Sequence, residues 1–225
     1  MNALHRQTAR CRRWLAALLL AAATTPAMAQ VPPGMPPEAT QTLDLILDVN
    51  LRVTVELGRN AMTVADILGL VRVYAIHDDG GAHRVAEIRG IARPNGVAVA
   101  GRFLFVASEA ENSVRSFRIV NGDPPTYEAV ATIGGFNKPG QLAYDGGRLY
   151  VADPGSHRVQ RFTADGAFLG AWGGQGSADG QFNVPIGVAV TPGGVVYVAD
   201  TENHRVQRFT ATGAFLGKWG SEGND

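Results

Sequence analysis

Asp153-Pro-Gly-Ser-His-Arg-Val-Gln-Arg-Phe162 returns as Asp200-Thr-Glu-Asn-His-Arg-Val-Gln-Arg-Phe209, 47 residues further along the chain. The match continues through Thr163-Ala-Asp-Gly-Ala-Phe-Leu-Gly-Ala-Trp-Gly173 and Thr210-Ala-Thr-Gly-Ala-Phe-Leu-Gly-Lys-Trp-Gly220. An earlier copy lies at an offset of 45. Pro94-Asn-Gly-Val-Ala-Val99, Leu104-Phe-Val-Ala-Ser108 and Ser113-Val-Arg-Ser-Phe117 stand against Pro139-Gly-Gln-Leu-Ala-Tyr144, Leu149-Tyr-Val-Ala-Asp153 and Arg158-Val-Gln-Arg-Phe162. A fainter first copy runs through Met62-Thr-Val-Ala-Asp66 and Arg72-Val-Tyr-Ala-Ile76. Copies spaced by roughly 40–50 residues imply a propeller or a solenoid.

Within a copy the period is that of strands. Val188 and Val190, Val196 and Val198, then Val206 and Phe209 fall in short runs separated by Thr-Pro-Gly-Gly and Glu-Asn-His. Such β-branched and aromatic runs bounded by turn residues read as strands. Each unit ends in Gly-x-Phe-Leu-Gly-x-Trp-Gly, a fourth strand after a glycine turn. Four antiparallel strands per unit fit a propeller blade. The expected fold class is therefore all-β, a β-propeller of about four blades at 51–90, 91–135, 136–182 and 183–225.

Pro185-Ile-Gly-Val-Ala-Val, Val196-Tyr-Val-Ala-Asp, Asn203-His-Arg-Val-Gln-Arg-Phe and Gly213-Ala-Phe-Leu-Gly-Lys-Trp-Gly together resemble consecutive pieces of an NHL repeat. Asn203-His204 match the first two letters of that name, and Arg205 stands where its Leu would be. The resemblance is specific in the third and fourth copies and weaker in the second and first. It implies a β-propeller used mainly as a recognition platform, with a minority of enzymes.

Outside the repeats, residues 1–29 read as a secretory signal. Arg6, Arg10, Arg12 and Arg13 precede the apolar run Trp14–Ala23, and Ala27-Met-Ala29 has the small-x-small form of a cleavage site. The run is shorter than the ~20 residues that span a bilayer. An exported chain, periplasmic or extracellular and cleaved after Ala29, is expected. Gln30-Val-Pro-Pro-Gly-Met-Pro-Pro37 follows, and residues 30–40 read as a linker. The full chain of 225 residues has 20 basic and 20 acidic groups. Without the four signal arginines the balance is −4, which argues against a nucleic-acid partner held through phosphates. Cys11, the sole cysteine, lies in the signal, so disulfides and thiolate chemistry are excluded from the rest.

Between linker and repeats, Leu43, Leu45, Leu47, Val49, Leu51, Val53, Val55 and Leu57 alternate with mostly polar residues. This predicts two strands broken near Asn50. The second would be the inner strand of the first blade; the first would serve as an extra outer strand able to pair with the last blade. After Trp219 the chain runs Gly-Ser-Glu-Gly-Asn-Asp225 without the Gly-Gln-Phe that leads into Pro185. NHL propellers usually have more blades than four. An incomplete ring, either truncated or completed by self-association, is the resulting expectation.

Residues that recur in every blade most simply serve the blade. Asp153/Asp200 and Arg158/Arg205 flank hairpin turns at a spacing suited to mutual bonding. The functional alternative places His157, Arg158, His204 and Arg205 on a rim shared with connector Gly174–Phe182, binding a polar or acidic ligand. Asn95 and Gln141, polar positions near the inner strands, complete the candidate ligand-binding set. No catalytic residue, metal or other cofactor is expected. The family's peptide-amidating lyase would imply zinc-binding histidines just after the prolines, where this chain has Asn95, Gly140 and Ile186. His77 and His83 lie off that motif, Asn95 and Gln141 make a poor calcium site without a carboxylate, and Gly-x-Ser-x-Gly is absent. The preferred reading is an exported recognition module for a protein, peptide or glycan, with no membrane span. The alternative is a fragment of a propeller enzyme, lyase-like or lactonase-like.

Overall fold

The computed structural model describes residues 41–48, 51–57, 61–66, 69–76, 82–120 and 125–221. The expected signal, the whole linker 30–40, the break near Asn50, His77 and the residues after Ser221 lie outside this set. Among the described residues, seventeen strands form four antiparallel sheets. The first is five-stranded, with β1 (Gln41–Asp48), β2 (Leu51–Leu57), β3 (Ala61–Asp66), β4 (Leu70–Ile76) and β5 (Ala82–Arg89) in chain order. The second holds β6 (Pro94–Ala100), β7 (Phe103–Ser108), β8 (Ser113–Val120) and β9 (Thr126–Ile133). In the third are β10 (Leu142–Asp145), β11 (Arg148–Asp153), β12 (Arg158–Thr163) and β13 (Phe168–Gly173). The fourth comprises β14 (Pro185–Val190), β15 (Val196–Asp200), β16 (Arg205–Phe209) and β17 (Phe215–Trp219).

The extra strand differs from expectation in its place. β1 pairs with β2 from Gln41 opposite Leu57 to Asp48 opposite Leu51, as a hairpin within the first sheet. A short connection makes the adjacent partner far easier to reach than a distant blade, because closing a long loop costs more entropy.

The hydrophobic core is divided among the seams between sheets. Val71, Ile91, Val97 and Leu104 join the first two blades, and Phe105, Val114, Phe136, Leu149 and Phe162 join the second and third. Tyr150, Val159, Phe182, Val198 and Phe209 join the third and fourth. Strands inside such a stack have a neighbour on both faces. Accordingly Leu104–Ser108 of β7 and Leu149–Asp153 of β11 are buried without alternation.

Neighbouring blades meet closely at their inner strands. A Cβ on Gly96 would stand 2.4 Å from the Gly140 carbonyl oxygen, and one on Gly140 would stand 2.6 Å from that of Ile186. Gln141 donates its backbone N–H to Ile186 O at 3.0 Å across the third seam. Inner-strand contacts join blades 1 to 2, 2 to 3 and 3 to 4; among the described residues, no contact of that extent joins the fourth sheet to the first. The architecture is an incomplete β-propeller.

Candidate functional site

The site begins at the turn joining the second and third strands of a blade. β11 ends at Asp153, the chain makes one 3₁₀ turn over Pro154–Ser156, and His157 reverses it in the left-handed region at φ 53°. Blade 4 repeats this with Asp200, Thr201–Asn203 and His204 at φ 51°. Both aspartates are fully buried. A buried carboxylate needs donors on both oxygens, and each finds them.

Asp153 Oδ1 accepts the Asn137 backbone N–H at 2.7 Å, while Oδ2 accepts from Arg158 Nε at 2.8 Å and Gln160 Nε2 at 3.0 Å. Asp200 repeats the set with Asn183 N–H at 2.6 Å, Arg205 Nε at 2.6 Å and Gln207 Nε2 at 3.1 Å. The arginine and glutamine then share the carbonyl four residues before the next proline. Arg158 Nη2 and Gln160 Nε2 reach Gly135 O at 2.8 and 3.0 Å; Arg205 Nη2 and Gln207 Nε2 reach Gln181 O at 2.9 and 2.6 Å. The Asp–Arg–Gln set is thus a clasp that fastens the incoming connector to the blade's own turn.

Blade 2 builds the clasp from other residues. Ser108 replaces the aspartate, and the carboxylate moves to Glu111, whose Oε1 accepts the Ala92 N–H at 3.1 Å. Arg115 stands at the glutamine position and donates to Gly90 O at 2.8 Å. One carboxylate and one cation are kept, displaced along the turn.

The two histidines diverge. His157 Nδ1 accepts the backbone N–H of Val184 at 3.2 Å, across the seam to the fourth blade. Asn112 does the same for Lys138, at 2.8 Å. His204 is exposed. Asn95 and Gln141 are half-buried at the inner seams, where Asn95 Nδ2 reaches Pro139 O at 3.4 Å. Arg158 is a third exposed at its side chain and Arg205 only 7%. The candidate rim therefore shares one face with the connectors, while much of its polarity is engaged in holding them.

Five residues escaped sequence reasoning. Gln160 and Gln207 are buried clasp members, although they recur beside the arginines. Ile91, Phe136 and Phe182, each three residues before a proline, are connector side chains buried in the seams. For Phe182 the signal is the Gly-Gln-Phe run before Pro185; Ile91 and Phe136 share with it a glycine one or two residues earlier.

The longest fully described connector, between β13 and β14, is the most tightly fastened. Arg205 Nη1 donates to Ser177 O at 2.7 Å and Nη2 to Ala178 O at 3.0 Å. Asn203 Nδ2 donates to Gly176 O at 2.9 Å, and Gln207 Oε1 accepts the Gly180 N–H at 3.0 Å. Lys218 pairs with Asp179 at 2.5 Å. Gln175, Ser177, Asp179 and Gln181 stay exposed on this pinned loop. Nearby in the seam, burial pushes the Tyr150 phenol above its ordinary value against the opposing pull of Arg148 and Arg161. Among the described residues, no helix is long and apolar enough to cross a membrane.

The sequence model of the NHL repeat matches residues 136–162 and 182–209. The two matched segments carry NHL repeats and lie in the third and fourth blades. No curated protein matches this chain. Among solved structures, a functionally unknown protein from Desulfotomaculum acetoxidans is similar at 18% identity and a TM-score of 0.61, over 85% of this chain and 67% of that one. The computationally designed Ika8 protein is similar at 10% identity and a TM-score of 0.56, over 78% of this chain and 60% of that one. Glutaminyl cyclase from Myxococcus xanthus is similar at 22% identity and a TM-score of 0.50, over 71% of this chain and 66% of that one. The chain thus spans about 60% of the designed protein's length. These likenesses concern the fold. The clasp occupies the matched segments, since Asp153, Arg158 and Gln160 fall in the first and Asp200, Arg205 and Gln207 in the second.

Proposed function

We propose that this protein is an exported recognition module whose connector face binds a protein, peptide or glycan. The observation that carries the reading is the loop Gly174–Val184. It is exposed, rich in hydrogen-bonding side chains, and held by Arg205, Gln207, Asn203 and Lys218 before any ligand arrives. A loop ordered in advance loses little conformational entropy on binding, which favours specific contact at a small surface. In this reading His157, Arg158 and Arg205 are positioning residues that hold the loops in place. His204, Asn95 and Gln141 supply the remaining polar edge. The acidic balance of the chain after the signal favours a partner other than nucleic acid.

The test is a screen of the purified chain on peptide and glycan arrays, followed by the Gln175→Ala/Ser177→Ala variant. Binding that drops in this variant with an unchanged melting curve supports the reading. No binder on either array, or equal binding by the variant, overturns it. Stoichiometric zinc or calcium together with hydrolase or lyase turnover would replace it with the enzymatic alternative. Export is tested by N-terminal sequencing of the protein recovered outside the cytoplasm: a start at Gln30 is expected, and an intact Met1 in the cytosol would refute it.

A further inference from the structure

Blades 3 and 4 carry the same clasp under connectors of different length. Trp172 lies opposite Val159 and Ile133 opposite Val114, so the two residues mark the same place in successive outer strands. Nine residues separate Trp172 from Phe182, and two separate Ile133 from Phe136, which makes the connector into blade 3 seven residues shorter. The stretch it lacks is 175–181.

In blade 4 that stretch saturates the clasp. Ser177 O accepts from Arg205 Nη1 at 2.7 Å and Ala178 O from Nη2 at 3.0 Å. The Gly180 N–H donates to Gln207 Oε1 at 3.0 Å, and Asn203 Nδ2 donates to Gly176 O at 2.9 Å. In blade 3 Arg158 commits only Nε, to Asp153, and Nη2, to Gly135 O, while Gln160 commits Nε2 to the same two acceptors. Both partners of Nε2 are acceptors, so the amide is fixed with Oε1 turned away from them. Among the described residues, Arg158 Nη1, Gln160 Oε1 and the hydroxyl of Ser156, which stands where Asn203 does, make no hydrogen bond. Gln160 is only 4% exposed, yet solvent reaches its Oε1. There is room beside these atoms, because a Cβ added to Gly134 or Gly135 meets nothing within 4 Å.

We propose that the blade-3 clasp is a binding site that reads the backbone of a partner peptide. Arg158 Nη1 takes a carbonyl oxygen and Gln160 Oε1 takes an N–H, as Arg205 and Gln207 do with the chain's own loop. A peptide offers both groups at a fixed spacing, and blade 4 displays that spacing between Ser177 O and the Gly180 N–H. Pairing also satisfies a largely buried amide and a guanidinium edge already held rigid by Asp153, so little ordering is needed on the protein side. The proposal rests on the connector face being a recognition surface, and it narrows the ligand to a peptide.

The test uses a head-to-tail cyclised peptide of residues 174–181. In the protein the Phe182 N–H bonds Gly174 O at 2.9 Å, so the ends of this loop lie together and cyclisation lowers its ordering cost. The isotope-labelled full chain is titrated with this peptide and followed by NMR. Saturable shifts of the Gly134 and Gly135 amides and of the Gln160 side-chain amide are expected, with a dissociation constant on the order of a millimolar or tighter. Two variants should each weaken binding at least about tenfold. Arg158→Lys keeps the charge and loses the forked edge. A graft of Gln175–Gln181 between Gly135 and Phe136 fills the site from within, keeps every clasp residue, and decides the matter even if Arg158→Lys unfolds. No saturable shift at these signals overturns the proposal, as does equal binding by the graft. Displacement by acetate at the peptide's own concentration would mark a site for anions and overturns it too. Array ligands that depend on Gln175 and Ser177 would then leave the recognition reading standing, whereas arrays without any binder refute that reading itself.

Discussion

His157 Nδ1 accepts the backbone N–H of Val184 at 3.2 Å, so a side chain of the third blade completes the backbone of the fourth. Val184 needs that partner. It is β-branched, sits at φ 52° immediately before Pro185, and its N–H has turned out of the sheet pattern. The blade before it solves the same problem with Asn112 and Lys138, at φ 50° and 55°.

The exchangeability of these two residue types is testable. His157→Asn should retain most of the stability, because asparagine both accepts the N–H and tolerates the left-handed region. His157→Ala leaves the Val184 N–H without its acceptor, costing about 1–3 kcal/mol. Urea unfolding measures both, and equal midpoints for the two variants would refute the latch.

The clasps should be unequal in strength. Arg205 is 7% exposed at its side chain and Arg158 37%, with aspartate partners that are fully buried in both cases. Removing one member of a buried pair costs roughly 3–5 kcal/mol, and the effect shrinks as solvent reaches the pair. Arg205→Ala is therefore expected to destabilise more than Arg158→Ala. Thermal or denaturant melts giving the reverse order would show that exposure does not govern the clasp.

The close approach of inner strands makes a prediction about glycine. Gly96→Ala would drive a Cβ to 2.4 Å from Gly140 O, a backbone atom that cannot swing aside. Overpacking of this kind costs about 1–3 kcal/mol or more. Gly134→Ala meets nothing within 4 Å and should be nearly neutral. Comparable losses in the two variants would mean that the strands are free to separate.

Alkali should loosen the third seam. Burial raises the Tyr150 phenol above its ordinary value of 10.0, so the folded state favours the neutral form. Its contribution is complete below pH 10.0 and is lost as pH rises through the higher folded value. Denaturant midpoints followed alongside tyrosinate absorbance should fall in that window. Tyr150→Phe, which removes the bond to Ala211 O, should cost about 0.5–1.5 kcal/mol at neutral pH and flatten the alkaline fall. An unchanged alkaline slope in this variant would assign the loss elsewhere.

Blade architecture was legible because it is local and repeated. The exact recurrence of His-Arg-Val-Gln-Arg-Phe, with strands separated by glycine turns, leaves few alternatives to a four-stranded unit. Pairing of the Asp with the Arg five residues later was legible for the same reason, since both ends belong to one turn. The placing of β1 was not, because alternation marks a strand and its buried face but leaves its partner open.

What the sequence by itself determined was the unit: four strands, their turns, the Asp–Arg pairing within the turns of the third and fourth copies and the spacing of the copies. Tertiary structure decided what the units do to one another. That His157 serves the following blade while His204 stands exposed, and that Tyr150 is buried while the identical Tyr197 is not, cannot follow from repeats that read alike. Burial is a property of neighbours, and identical residues part company where one sheet has a blade on both faces and the other on one.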